Sequence, residues 1–210
     1  MLNGSITYVL VIIWGVWVLR GDRIDRESPA KVLVSLVFTF YVSRLIAATF
    51  FPFPIEGFVL EQGRALSESG FGPGNNFVPF YTVADAAGSA QTFINQIVGN
   101  FILLFPLGFL APLLFTRFTN KMQAVGLVIA TTLGIELLQL GISTLLGFTY
   151  RSFDVDDLWL NAVGGIFGVV VSSLVFGKAT WLRRHGEPAQ SPRSNASTDS
   201  RETVPYRSGL

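Results

Sequence analysis

The sequence predicts an all-α, polytopic membrane protein with five transmembrane helices and an interfacial outer segment, a loop with a short helix, between the second and third. Of its 210 residues, 50% are hydrophobic and only 14% are charged, whereas soluble domains carry about 25% charged residues. Five apolar runs, with basic residues concentrated on one side of them, agree with this class. The lack of cysteine and the single histidine exclude thiolate, disulfide and most histidine chemistry.

Five runs qualify as membrane helices, because a bilayer core about 30 Å thick needs roughly 20 apolar residues. The first is the shortest, but it lacks the positive amino-terminal region and the small-residue cleavage site of a signal peptide, so we expect it to be retained. We assign residues 1–185 to one membrane domain and 186–210, rich in Ser, Pro, Arg and Thr, to a disordered cytoplasmic tail. The runs cover residues 4–19, 32–51, 93–115, 122–146 and 158–176.

Orientation follows from the Lys and Arg residues of the short connections, since these concentrate on the cytoplasmic side. The connections after the first and third runs and the segment after the fifth are basic, whereas the other two connections carry only Arg64 and Arg151. We therefore expect a multi-pass protein of the cell membrane, with its amino terminus outside and its carboxyl terminus in the cytoplasm. The basic residues of the predicted inner side are Arg20, Arg23, Arg26, Lys31, Arg117, Lys121, Lys178, Arg183 and Arg184.

The long outer connection, residues 52–92, is rich in aromatic residues, which suit the headgroup zone of a membrane. Apolar residues at helical spacing between positions 55 and 66 predict a short helix that lies in the interface. Thr82 and Asp85 have the spacing of a capping box, which predicts a short helix capped by Thr82 before the third span.

Polar side chains inside the spans are the main functional signal, because charged and amide groups in membrane helices are costly and are functional candidates by default. They lie in the outer halves, where four helices could meet around one outward-facing polar pocket. Asp154, Asp157 and Asn161 share one face of the fifth helix by their spacing. The candidate ligand-binding residues from this pattern are Arg44, Asn95, Asn100, Glu136, Gln139, Arg151, Asp154, Asp157 and Asn161.

The charges of this set do not balance. Arg44 and Arg151 oppose four carboxylates, so two negative charges are left over if all groups are ionised. A protonated carboxyl, a bound cation, or exposure of Asp156 to water would each resolve the surplus. We expect Asp156 to point to water, because it falls off the face that its neighbours share. We expect Glu136 to be protonated or paired with Arg44.

A purely structural alternative applies to the amide side chains, which often join membrane helices without further function. It applies most to Asn95, Gln96 and Gln139. It applies least to Asn161 and to the charged residues Arg44, Glu136, Arg151 and Asp157, because placing charge in lipid is too costly for packing alone. For the glycines of the fifth helix we expect close packing on a neighbouring helix rather than a ligand site, at Gly164, Gly165 and Gly168.

Four motifs follow one another along the chain: NFVPF at 76–80, Asn95 and Asn100 followed by LFPLG at 104–108, ExxQ at 136–139, and RSFDVDD at 151–157 with Asn161 after it. Together they resemble the VanZ-like family of small bacterial membrane proteins, named for an accessory protein of teicoplanin resistance. The resemblance covers about residues 44–173. It implies that Asn76 joins the ligand-binding set. It also supports leaving Asp156 out, because the family is not strict there.

The resemblance implies an association with lowered susceptibility to glycopeptide antibiotics, which bind the D-Ala-D-Ala ends of cell-wall precursors. Our first hypothesis is a polar pocket that binds a lipid headgroup, a lipid-linked cell-wall precursor or a glycopeptide, with Arg44 and Arg151 on a phosphate or carboxylate.

The alternative is an intramembrane enzyme, in which Glu136 and Asp157 act as acid and base on a lipid substrate, or hold a divalent metal with Asn161. Transport is disfavoured, because five helices without an internal repeat do not make a self-contained carrier. The partner we expect is a membrane lipid or lipid-linked precursor, with no nucleic acid, no assigned metal and no resident cofactor apart from that divalent cation.

Overall fold

The computed structural model describes residues 4–20 and 29–185, and every regular element in those ranges is a helix, as predicted. A 3-10 turn at Gly4–Tyr8 leads into the first helix. The helices are α1 (Val9–Arg20), α2 (Pro29–Phe50), α3 (Gly57–Glu68), α4 (Tyr81–Ala86), α5 (Ala90–Leu114), α6 (Lys121–Leu146) and α7 (Val155–His185). Within α5, residues Ile94–Val98 form one π-helical turn.

Four of these helices are long and apolar enough to cross a membrane: α2, α5, α6 and the Val155–Gly177 part of α7. The apolar helix at Gly4–Trp17 is shorter, so the first of the five predicted spans stays a prediction. A helix, α3, lies in the outer connection where the sequence predicts one, and its position in the membrane interface also stays a prediction. The predicted tail, 186–210, and most of the basic connection, 21–28, lie outside the described residues.

The most extensive helix contact joins α7 to α5, and glycines make it. A Cβ atom added at Gly164 or Gly168 would overlap the carbonyl oxygen of Phe101 or Phe105 on α5. A Cβ at Gly165 would overlap a side chain of α6 instead. The predicted close packing at these glycines is confirmed. At these three positions α7 packs closely against α5 and α6.

The apolar core lies between α2, α5, α6 and α7, where Leu104, Val128 and Val169 are buried. The segment that contains α1 lies outside this core and packs against α2. Its main polar link is a buried bond between hydroxyl groups, in which Ser43 donates to Thr7 at 3.0 Å. The amino-terminal segment therefore adds a layer to the bundle without entering its centre.

The connection from α6 to α7 runs back along α6. Gly147, with a φ of 79°, ends α6 and reverses the chain. The hydroxyl oxygen of Ser143 then accepts the N–H of Arg151 at 3.2 Å, and Glu136 accepts the N–H of Asp154 at 3.1 Å. Glu136 precedes the end of α6 by ten residues, which is about 15 Å of helix. The first turn of α7 therefore starts inside the bundle, not at its outer face.

Candidate functional site

Asn76 fastens the outer connection to the first turn of α7. Its N–H donates to the carbonyl of Phe153 at 2.8 Å, and the N–H of Val155 donates to the carbonyl of Asn76 at 3.0 Å. Its side-chain amide also donates to the carboxylate of Asp154 at 2.8 Å. Asn76, a candidate ligand-binding residue from the resemblance, thus bonds to the protein itself.

Asp154 caps the amino terminus of α7. One carboxylate oxygen accepts the N–H of Asp156 at 2.8 Å, the bond that a helix-capping aspartate makes to the second residue of the helix. The other oxygen accepts the hydroxyl of Thr82 at 2.6 Å. With the amide of Asn76, three donors satisfy this carboxylate. The structure therefore gives this predicted site residue a structural partner for each oxygen.

Asp156 does not point to water, and that expectation is wrong. Its side chain is 0% exposed. The carboxylate accepts the N–H groups of Phe80 at 2.6 Å, Thr82 at 2.8 Å and Val83 at 3.3 Å, and the indole N–H of Trp159 at 3.0 Å. Asp156 does fall off the face of Asp154 and Asp157, but the outer connection folds over that second face and buries it.

The predicted capping box at Thr82 is also wrong, although the helix it predicts is present as α4. The residue before α4 is Phe80, and it makes no side-chain cap. The first N–H groups of α4 instead reach Asp156 across the chain. Phe80 has a φ of 65°, a left-handed conformation that is rare for a bulky residue. The bond to Asp156 and ring contact with Trp159 at 5.6 Å hold it there.

A second set of polar groups around α7 has few donors. Glu136, 2% exposed, accepts one hydrogen bond, from the N–H of Asp154. Asp157, which is half-buried, accepts one from the side-chain amide of Asn100. Asn161 is 1% exposed, and its side-chain oxygen has no hydrogen-bond partner. We call Glu136, Asp157 and Asn161 the acceptor cluster.

The acceptor cluster takes its residues from α6 and α7, and Asn100 of α5 bonds to one of them, Asp157. Asp157 lies within electrostatic range of Asp154 and Glu136. Among the described residues, no group of three or more His, Cys, Asp or Glu side chains is arranged to hold a metal ion. Any cation here would therefore need amide oxygen as well as carboxylate.

Arg44 lies away from this cluster. It is exposed, and it donates to the hydroxyl of Tyr8 at 3.2 Å, with its guanidinium carbon 6.0 Å from the centre of that ring. The expected pairing of Arg44 with Glu136 is not formed in the described part of the chain. A cavity of about 490 Å³ opens beside the guanidinium, and we call it the Arg44 cavity. It is lined by Gly4, Ser5, Tyr8, Arg44, Ala47, Ala48, Phe51 and Pro52.

Arg151 and Tyr150 bind the main chain that follows α2. The guanidinium of Arg151 donates to the carbonyl of Phe51, and the hydroxyl of Tyr150 lies 2.8 Å from the carbonyl of Pro52. Burial raises the pKa of the Tyr150 phenol. Phe51 and Pro52 also line the Arg44 cavity. The bonds from Arg151 and Tyr150 therefore hold the edge of that cavity in place.

The two remaining candidates, Gln139 and Asn95, are amides, and each bonds to a different part of the protein. Gln139 donates to the carbonyl of Thr49 at 3.0 Å, which joins α6 to α2. Asn95 is exposed and accepts a bond from Gln91 on its own helix at 2.9 Å, so it does not join the acceptor cluster. The Gln139 bond joins two helices, and the Asn95 bond is local to one helix.

Three contributing residues were missed by sequence reasoning. Trp159 follows Asp156 at i+3, so helical spacing could have found this pair. Tyr8 and Ser143 carried no such signal, because they meet the site only after the chain folds back.

Comparison with known proteins identifies the family of the chain. Residues 38–176 match the VanZ/LLP1 family. That range includes Arg44 and all of the acceptor cluster, whereas Tyr8 lies outside it. No curated protein and no solved structure matches the chain. The chain therefore belongs to the VanZ/LLP1 family and is a VanZ-like, helical, multi-pass membrane protein.

Proposed function

We propose that the protein binds the anionic headgroup of a lipid, or of a lipid-linked cell-wall precursor, at the Arg44 cavity. The observation that carries the proposal is an exposed arginine in a membrane-spanning helix, beside an open cavity. A charge in such a helix is costly unless it reaches water, a partner or a ligand. Its described partner is the neutral phenol of Tyr8, which leaves the positive charge without a counterion in that contact.

The depth of Arg44 suits a headgroup. It precedes the end of α2 by six residues, which is about 9 Å of helix, so a long side chain can reach the boundary between headgroups and acyl chains. A guanidinium presents several N–H donors in a planar fork, and phosphate and carboxylate oxygens accept from it in pairs. The predicted outward orientation places this end of α2 in the outer leaflet.

Four of the residues that line the cavity with Arg44 are small, namely Gly4, Ser5, Ala47 and Ala48. A Cβ atom added at Gly4 would lie 3.0 Å from the Cβ of Ala47, so a side chain there would crowd the cavity. The volume of about 490 Å³ falls within the range of small-molecule sites. Arg151 contributes as a positioning residue, because its guanidinium bonds to the carbonyl of Phe51 at the edge.

Binding to the purified protein tests this proposal. Native mass spectrometry would compare phosphatidylglycerol, a polyprenyl pyrophosphate and teicoplanin, with diacylglycerol as the lipid that lacks phosphate. Arg44→Ala is expected to weaken binding of both phosphate-bearing lipids by at least about tenfold, since a charged hydrogen bond contributes about 1.5–3 kcal/mol. Comparing the two lipids shows whether a general phospholipid or a precursor carrier is preferred.

Arg64→Ala is the matched control, because Arg64 is an exposed arginine of the outer connection that donates to the carbonyl of Leu146 at 3.0 Å. It is expected to leave lipid binding unchanged. Equal affinity of wild type and Arg44→Ala, or no preference over diacylglycerol, would remove the proposal. Selective binding of teicoplanin would assign the cavity to the antibiotic instead.

A further inference from the structure

We infer that the acceptor cluster, Glu136, Asp157 and Asn161, binds a hard metal cation inside the bundle. This site is separate from the Arg44 cavity and does not depend on lipid binding there. It uses carboxylates of α6 and α7 and an amide oxygen of α7, around the first turns of a helix that starts inside the protein.

The hydrogen bonds of the four carboxylates divide them into two classes. Asp156 accepts four bonds and Asp154 accepts three, so the protein satisfies both. Glu136 and Asp157 accept one each, from a main-chain N–H and from Asn100. Buried carboxylates normally collect several donors or a cation. This second pair therefore has fewer donors than Asp154 and Asp156 have.

Asn161 is an independent sign of a missing partner. It follows Asp157 by one helical turn on the same face, and its side-chain oxygen is buried without a donor. That face meets α5, because Asn100 bonds to Asp157, and the neighbouring Leu158 accepts a bond from the hydroxyl of Thr132 on α6 at 3.3 Å. An unpaired acceptor oxygen one helical turn from a carboxylate with a single donor suits a cation better than an anion.

The two arginines that the sequence places in the site bond to other groups. Arg151 donates to the carbonyl of Phe51, and Arg44 is exposed beside Tyr8. The positive end of α7 is worth only about half an elementary charge, so it offsets part of the charge on Glu136 and Asp157. All of the available ligands are oxygens, which favours Na⁺, Mg²⁺ or Ca²⁺ over softer metals.

Thermal unfolding of the purified full-length protein tests the site. Chelated protein in detergent at neutral pH would receive NaCl, KCl, MgCl₂ or CaCl₂, with choline chloride keeping ionic strength constant. One hard cation is expected to raise Tm by about 5–10 °C at a hundredfold excess over its Kd. Glu136→Gln and Asp157→Asn should each abolish that shift, and Asn161→Ala should reduce it. Asp85→Asn, which changes an exposed carboxylate of α4, should keep it.

Calorimetric titration of the wild type with the same salts measures binding directly, so a variant that fails to fold does not decide the outcome. The inference is overturned if no salt raises Tm and none gives a measurable heat of binding. It is overturned equally if acidification stabilises the protein while no cation does, since the cluster would then hold a proton. A shift that survives in both Glu136→Gln and Asp157→Asn would place the cation elsewhere.

Discussion

The carboxylate of Asp156 accepts the main-chain N–H of Thr82 at 2.8 Å, so a residue of α7 caps a helix that lies more than seventy positions earlier. The same carboxylate also holds Phe80 in its left-handed conformation. Through this one side chain, the outer connection is fixed over the start of α7. The face of α7 next to the acceptor cluster is consequently covered by a segment that is held in place.

Asp156→Ala is expected to destabilise the protein by about 3–4 kcal/mol, because the buried N–H groups of Phe80 and Thr82 would lose their acceptor. Asp156→Asn should lose most of this stability as well, since its amide NH₂ would face N–H donors. Thermal unfolding in detergent measures both, and a Tm decrease of at least about 5 °C is expected. Asp85→Ala, at an exposed position of α4, should change little. Equal Tm values for Asp156→Ala and wild type would contradict the capping role.

Gly164→Ala is expected to separate α5 from α7, because the new Cβ would overlap the carbonyl of Phe101. Main chain cannot move aside as a flexible side chain can, so a loss of about 2 kcal/mol or more is expected. Gly134→Ala is the control, since nothing lies within 4 Å of its added Cβ. That substitution should be neutral or stabilising by up to about 1 kcal/mol. If both variants unfold at the same temperature, the close approach of α5 and α7 at Gly164 is contradicted.

Because the Tyr150 phenol is shielded by burial, we expect the folded protein to lose stability at alkaline pH. Burial raises the pKa of the phenol above the ordinary value of 10.0. Above that value the unfolded chain releases the phenol proton while the folded chain retains it, so the folded state is stabilised fully below pH of about 10 and progressively less above it. Tyr150→Phe removes this dependence, and the difference in Tm between wild type and variant should shrink as pH rises through that range. A constant difference would show that the phenol is not shielded.

The predicted orientation can be tested cleanly, because the chain has no cysteine of its own. Ser67→Cys in α3 and Thr116→Cys between α5 and α6 each place one thiol at an exposed position. A membrane-impermeant maleimide added to intact cells should label the first and not the second. Lysed cells should label both, which shows that each thiol is reactive. Labelling of Thr116→Cys in intact cells would reverse the orientation.

Local and periodic properties were readable from the amino-acid sequence. The positions of the four long helices follow from apolar runs to within a few residues at most ends, because each spanning helix must satisfy its own main chain in lipid, although α7 continues past its run to His185. The packing role of Gly164 follows from small-residue spacing, and the shared face of Asp157 and Asn161 follows from helical geometry. These properties depend on neighbours within about two turns, so they need no knowledge of the fold.

Tertiary structure alone decided which polar residues meet. Arg44 and Glu136 both lie in the carboxyl-terminal halves of their helices, yet Arg44 is exposed beside Tyr8 while Glu136 is buried against Asp154. Asp156 was expected in water and is buried, because the outer connection folds onto the second face of α7. Depth along a helix is a one-dimensional property, whereas a partner is set by helix rotation and by the path of the connections. The sequence therefore determined the helices, their glycine contact and the acidic character of the start of α7. Only the folded chain determined that Arg44 bonds to Tyr8 beside a cavity while Glu136 bonds to the start of α7.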